Sequence, residues 1–133
     1  MSAAIPQTEK ERALRAALPS FTGSECFYRY SGLFARVLLT EGTLYLAEQA
    51  GAFWLMDAIA SHLPAVPTSE GMVFAVLDVD DDKAVLRLVD DVPPRRVYAK
   101  QEIEYTDFPI KGTTQVWAQR NSEGWTLMLP SEY

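Results

Sequence analysis

The chain of 133 residues holds one cysteine and one histidine. A single cysteine cannot close an internal disulfide or supply a cysteine-based zinc site. A single histidine cannot build a histidine-rich metal centre. The apolar runs are short, and none approaches the about 20 residues that a membrane-spanning helix requires. The opening string MSAAIPQTEKERALRAAL is charged and helical in pattern, without the apolar stretch and cleavage site of a secretory signal. These absences set three expectations: no cofactor or metal, no membrane, and a cytoplasmic location. Basic charge is scarce too. Twelve Lys and Arg face 18 Asp and Glu, for a formal net charge of −6. The basic residues are scattered, and Arg95-Arg96 is their only adjacent pair. An acidic chain without a segregated basic face repels phosphate backbones, so direct nucleic-acid binding is disfavoured. A basic protein partner remains open. There is no Walker loop, G-x-G-x-x-G, G-x-S-x-G or H-E-x-x-H.

The chain does have enough apolar residues, 48%, for one core. A single domain over 1–133 is expected. Thr8-x-x-Glu11 is a capping-box pattern that opens a short helix with a thin apolar stripe, Leu14, Ala17 and Leu18. Pro19 ends it. Residues 1–20 therefore read as a helical segment that docks loosely. Residues 26–30 and 33–39 are rich in aromatic and β-branched types and flank Ser31-Gly32, which reads as a two-residue hairpin loop. That loop would set Phe27 opposite Arg36 and Arg29 opposite Phe34.

The stretch EGTLYLAEQAGAFWLMDAIASHL reads as one long central helix over 43–63, capped by Thr43 and bent near Gly51. Tyr45, Ala52, Met56, Ile59 and Leu63 form its apolar stripe, while Trp54, Asp57 and Ser61 share a second side. LPAVPTSEG is a loop. MVFAVLDVD and KAVLRLVDD flank an Asp81-Asp82 turn, with Val79 facing Ala84 and Leu77 facing Leu86. RVYAKQEIEY is a long, largely polar strand. TQVWAQR and WTLML are joined by Asn121–Gly124, placing Trp117 and Met128 on one face. The expected fold is α+β: an N-terminal helix, a small β-hairpin, a central long helix, then an antiparallel meander packed on that helix.

Residues suited to chemistry are few. His62 sits where a helix C-terminus favours an imidazole, with no partner at facing spacing. Cys26 falls on a strand's apolar face, where nothing local lowers a thiol pKa. Asp78, Asp80, Asp81 and Asp82 mimic the start of a calcium loop, but Lys83 and Val89 stand where its glycine and glutamate belong. Glu48 and Asp57 would project to opposed sides of one straight helix. The outer hairpin face is a stronger candidate. Phe27 with Arg36, and Arg29 with Phe34, can stack guanidinium on ring, and these residue types are enriched in protein-binding hot spots. Trp54 and Asp57 add a second candidate binding surface.

Several strings occur together: Thr22-Gly23-Ser24, Phe27-Tyr28-Arg29, Thr40-Glu41-Gly42, Tyr45 through Ile59, YTDFP and LPSEY. Their combination resembles a family of unknown function found in bacterial genomes, plasmids and phages. The resemblance implies an accessory role in a mobile genetic element, including anti-defence action of the anti-CRISPR kind. It carries no catalytic residue across. The leading expectation is a small non-enzymatic protein that binds a protein partner, such as a basic host defence protein. The rivals are a small enzyme using Glu48, Asp57 or His62, and a homo-oligomeric module pairing through Trp117 and Met128.

Overall fold

A computed structural model describes residues 8–23, 27–29, 36–122 and 124–133. Three α-helices and seven strands follow one another among these residues: α1 (Glu9–Ala17), β1 (Phe27–Arg29), β2 (Val37–Thr40), α2 (Glu41–Gln49), α3 (Phe53–His62), β3 (Met72–Asp80), β4 (Lys83–Val89), β5 (Val97–Ile103), β6 (Gly112–Arg120) and β7 (Trp125–Met128). The strands form one sheet in the order β1-β2-β7-β6-β3-β4-β5. The mixed α+β class is as expected, but the meander is not. β6 pairs with β3 instead of β5, and β7 enters between β6 and β2, running parallel to β2.

The burial patterns explain that order. β3 alternates half-buried and buried residues along its length, as an interior strand covered on one face should. β6 does the same from Thr114 to Ala118. β5 is half-buried at best, which suits only an edge. Pairing β3 with β6 sets Ala75 beside Val116 and Val73 beside Ala118, both on the buried face. The acidic turn forms the expected register, Val79 with Ala84 and Leu77 with Leu86. Asp81 takes a positive φ of 59° at the tip, a conformation that aspartate tolerates better than most residues.

The first hairpin pairs differently from its expected register. Phe27 lies opposite Thr40, Tyr28 opposite Leu39 and Arg29 opposite Leu38. The Phe27–Arg36 and Arg29–Phe34 pairs are thereby replaced. Phe34, Ser31 and Gly32 themselves lie outside the described residues. The slip is even-numbered, so alternation is kept. β2 is fixed from its other side by β7, where Val37 meets Trp125 and Leu39 meets Leu127. Core burial of Val37 and Leu39 thus decides which residues are strand.

The single long helix resolves into two. The N-cap is Thr40, whose hydroxyl accepts from the Thr43 N–H; Thr43 lies inside the helix. α2 stops at Gly51, which holds φ +62°, the left-handed conformation that ends helices and favours glycine. α3 restarts at Phe53. The break lets Leu46 and Ala47 on α2, and Leu55, Met56 and Ile59 on α3, all reach full burial. They close one core with Val73, Ala75, Leu77, Leu86, Leu88, Val116, Ala118 and Leu127 of the sheet. The opposite sheet face, with Phe74, Val76, Asp78, Arg87 and Trp117, stays half-buried.

Two polar joints hold the periphery. The Glu132 carboxylate accepts from the Thr40 hydroxyl (2.6 Å), the Gly42 N–H (3.1 Å) and the Leu129 N–H (2.8 Å). It therefore places negative charge at the N-terminus of α2, where the helix dipole favours it. α1 is tied by Glu11, which is buried. Its carboxylate accepts from Arg15 and from the Lys111 N–H (3.0 Å), while Arg15 donates to the Lys111 carbonyl. Burial pushes the Glu11 pKa up, but the Lys111 N–H and the Arg15 guanidinium outweigh it, and the net direction is down.

Two outcomes follow from these joints. A Cβ on Gly42 would lie 2.6 Å from Glu132 Oε1 and 2.7 Å from Leu129 Cδ1. Alanine is ordinarily the better helix residue by about 1 kcal/mol. Gly42→Ala should nevertheless destabilise the fold, by about 1–3 kcal/mol, since the clash displaces a hydrogen-bonded carboxylate. Urea unfolding checks this, with Gly71→Ala, which meets open space, as the control. The lowered Glu11 pKa stabilises the fold above the unfolded carboxylate's titration range, and this contribution is lost as pH falls through the folded-state value. The Tm difference between wild type and Glu11→Gln should therefore shrink on acidification from roughly pH 6 towards pH 3. A constant difference would show that the charge of Glu11 is not what anchors α1.

Candidate protein-interaction site

The crossover from β5 to β6 builds the most distinctive surface. Since β6 joins the far side of β3, residues 104–111 must travel past α3 to reach it. Thr106 fixes the path. Its N–H donates to the Asp82 carbonyl and its hydroxyl accepts from the Phe108 N–H. That local turn drives Phe108 inward to complete burial. There it meets Trp54 edge-to-face, with ring centroids 6.2 Å apart. Such a pair contributes about 0.5–1.5 kcal/mol beyond its buried area. Trp54 is thus held on one side by the core, while its other side stays open.

The open side is a shallow cleft of about 320 Å³, lined by Trp54, Ile103, Tyr105, Thr106 and Asp107. Its rim mixes aromatic and acidic groups. Tyr105 is 71% exposed and Phe53, next to Trp54, is 42% exposed. Asp57, one turn along α3 from Trp54, is exposed, as are Glu104 and Asp107. Among the described residues, no lysine or arginine lines the cleft. The arrangement offers ring faces for an apolar or cationic group and carboxylates for its flanks.

Of the residues expected from sequence, Trp54 lines this cleft, and Asp57 is exposed one turn along α3 without lining it. Phe27 is 52% exposed but is parted from Arg36, which sits in the turn before β2. The Arg36 carbonyl accepts from the Trp125 N–H, a β2–β7 joint. The described part of Arg29 is its backbone, opposite Leu38, and Phe34 and Cys26 lie outside the described residues. The hairpin therefore supplies no assembled Phe/Arg face among the described residues. Tyr105, Asp107 and Ile103 were missed as site residues. The available signal was the string YTDFP, where a threonine two residues before a buried phenylalanine, followed by proline, marks a tight turn between strands.

The candidate catalytic groups do not gather. Glu48 ends α2, Asp57 lies mid-α3 and His62 ends α3. None of the three lines the Trp54 cleft. His62 Nε2 is hydrogen-bonded to Gln101 Oε1 at 2.8 Å. Asp78 pairs with Arg87 at 3.0 Å and accepts from Thr113. Among the described residues, no group of three or more His, Cys, Asp or Glu side chains is placed to hold a metal ion. A second, larger groove of about 500 Å³ runs between Leu18-Pro19, Ile110, Trp117 and Leu129-Pro130, with Arg15 at its edge. Trp117 there is sandwiched between Phe74 (4.9 Å) and Tyr133 (5.5 Å). No helix among the described residues is long and apolar enough to cross a membrane.

The strings that carry the family resemblance meet in this architecture. Phe21 packs on Tyr45 at 5.1 Å, Thr40 and Gly42 bind Glu132, and Trp54 packs on Phe108. Comparison with known proteins gives one match: a family model described as a family of unknown function, DUF6876, covers residues 12–133. Neither a curated protein nor a solved structure matches. The chain belongs to the DUF6876 family.

Proposed function

We propose that the chain is a small non-enzymatic binding protein that receives a protein partner at the Trp54 cleft. One observation carries the reading: an open tryptophan face, backed by a buried phenylalanine, opens into a cleft lined by exposed Tyr105 and Asp107, with Phe53, Asp57 and Glu104 exposed on the same stretches of chain. Tryptophan and tyrosine dominate binding hot spots because they bury large rigid area with little entropy to lose. The carboxylates select against acidic partners and steer basic ones, in keeping with a net charge of −6. The partner's matching segment is therefore an apolar or aromatic anchor flanked by lysine or arginine.

The resemblance to plasmid and phage proteins supports placing this binding in the service of a mobile genetic element. A host defence protein with a basic surface is then the fitting partner, and inhibition of a CRISPR complex is the specific case. Binding by an acidic surface to a basic one weakens as salt rises.

Tyr105 is exposed enough to be removed without opening the core. Affinity purification from a host cell, followed by mass spectrometry, should recover a partner with the wild-type chain. Tyr105→Ala and Asp107→Lys should each reduce its recovery about tenfold or more, the usual weight of a hot-spot residue. Equal recovery with both variants would remove the cleft from the account.

A further inference from the structure

β5 is the last strand of the sheet, and nothing among the described residues pairs with its outer edge. It is seven residues long, Val97–Ile103, against three for the opposite edge strand β1. An open edge of that length is a template for another strand. Its charges show which strand fits. Lys100 and Glu102 are exposed on the same side of β5, opposite Arg87 and Val85 of β4. Arg87 is itself engaged with Asp78. Lys100 thus lies beside a like charge and makes no ion pair among the described residues. Glu102 lies beside a valine.

We infer that the β5 edge pairs antiparallel with β5 of a second copy of this chain, about a two-fold axis at Gln101. In that register Lys100 faces Glu102 of the other copy, and the symmetry repeats the pair. Ala99 faces the other Ile103, also twice, and Gln101 faces itself. The two adjacent symmetric registers set Lys100 against Lys100 or Glu102 against Glu102, and like charges directly opposite are destabilising. Within β5 itself, only the register centred on Gln101 sets its two charged residues against opposite charges, and each neighbour sets one of them against its like. Antiparallel pairing also carries Val97, 49% exposed, to the Tyr105 end of the other strand. The incoming edge is held in place from both ends: the Asp90 carboxylate accepts from the Arg95 and Arg96 N–H groups before β5, and Thr106 is bonded to Asp82 after it. The two sheets join into one continuous sheet, an isologous contact of the commonest symmetric kind.

Sedimentation velocity over a concentration series tests the contact. Wild type should pass from monomer to dimer. Lys100→Glu and Glu102→Lys, singly, each turn two attractive pairs repulsive and should weaken the dimer about tenfold. The double variant Lys100→Glu, Glu102→Lys restores opposite charges and should restore the dimer. Both substitutions sit on exposed side chains, and circular dichroism checks that each of the three variants folds. A wild-type chain that stays monomeric overturns the inference, and so does a dimer indifferent to the single reversals or unrescued by the double. Lys100 and Glu102 do not line the Trp54 cleft, so the charge reversals test the dimer without altering the cleft's own residues, whereas Tyr105→Ala and Asp107→Lys test the cleft.

Discussion

The hydrogen bonds that Glu132 accepts at the start of α2 organise much of this fold. One carboxylate, on the residue just before Tyr133, satisfies the Gly42 N–H that a helix start leaves without an intrahelical partner. It also binds Thr40, the cap itself, and closes its own turn through Leu129. The consequence is topological. β2 leads into α2 and β7 leads into the Glu132 turn, so fastening one to the other makes β2 and β7 run side by side in parallel. Thr43, bonded to the Leu127 carbonyl at 3.0 Å, adds a second tie between the same two segments. Gly42 allows the close approach, because any side chain there would occupy the space of the carboxylate.

Once β7 is committed to β2, the rest of the order follows. The Asn121–Gly124 hairpin brings β6 in beside β7, and β6 presents its second edge to β3. β5 is left outermost, and the chain returning from it to β6 is carried past α3. The Trp54 cleft is the by-product of that return. Thr106 turns the crossover, Phe108 plugs the core beneath Trp54, and Tyr105 and Asp107 are left facing solvent. As the proposed binding surface it would be pre-organised by a helix and a pinned crossover, so that little ordering entropy would oppose a partner's arrival.

The local pieces of this structure were legible in sequence and the long-range ones were not. Alternation located β3, β4, β6 and β7, and the acidic turn and the Asn121–Gly124 loop fixed their hairpin registers, because two-residue and four-residue loops leave few alternatives. Thr8 and Glu11 marked the start of α1. Alternation could not say that β6 would choose β3 over β5, which depends on burial of both strands at once. Nor could it choose between registers of β1 and β2 that differ by four residues, since each keeps the same faces. Gly51 within a helical pattern suggests a bend, but a positive φ is a stop, and only the packing of Leu46 and Leu55 into one core reveals the break. Of the candidate site, Trp54 and Asp57 were visible as one helix side. Tyr105 and Asp107 were not, because what joins them to Trp54 is the crossover.

The most direct measurement asks whether position 105 touches a partner in the cell. Replacing Tyr105 with photoreactive benzoylphenylalanine and irradiating living host cells would report that contact directly. A discrete adduct to a protein other than the chain itself, lost when Asp107 is reversed to lysine, is the predicted result. No adduct, or one to a second copy alone, while an identical probe at Glu9 behaves the same way, would contradict it.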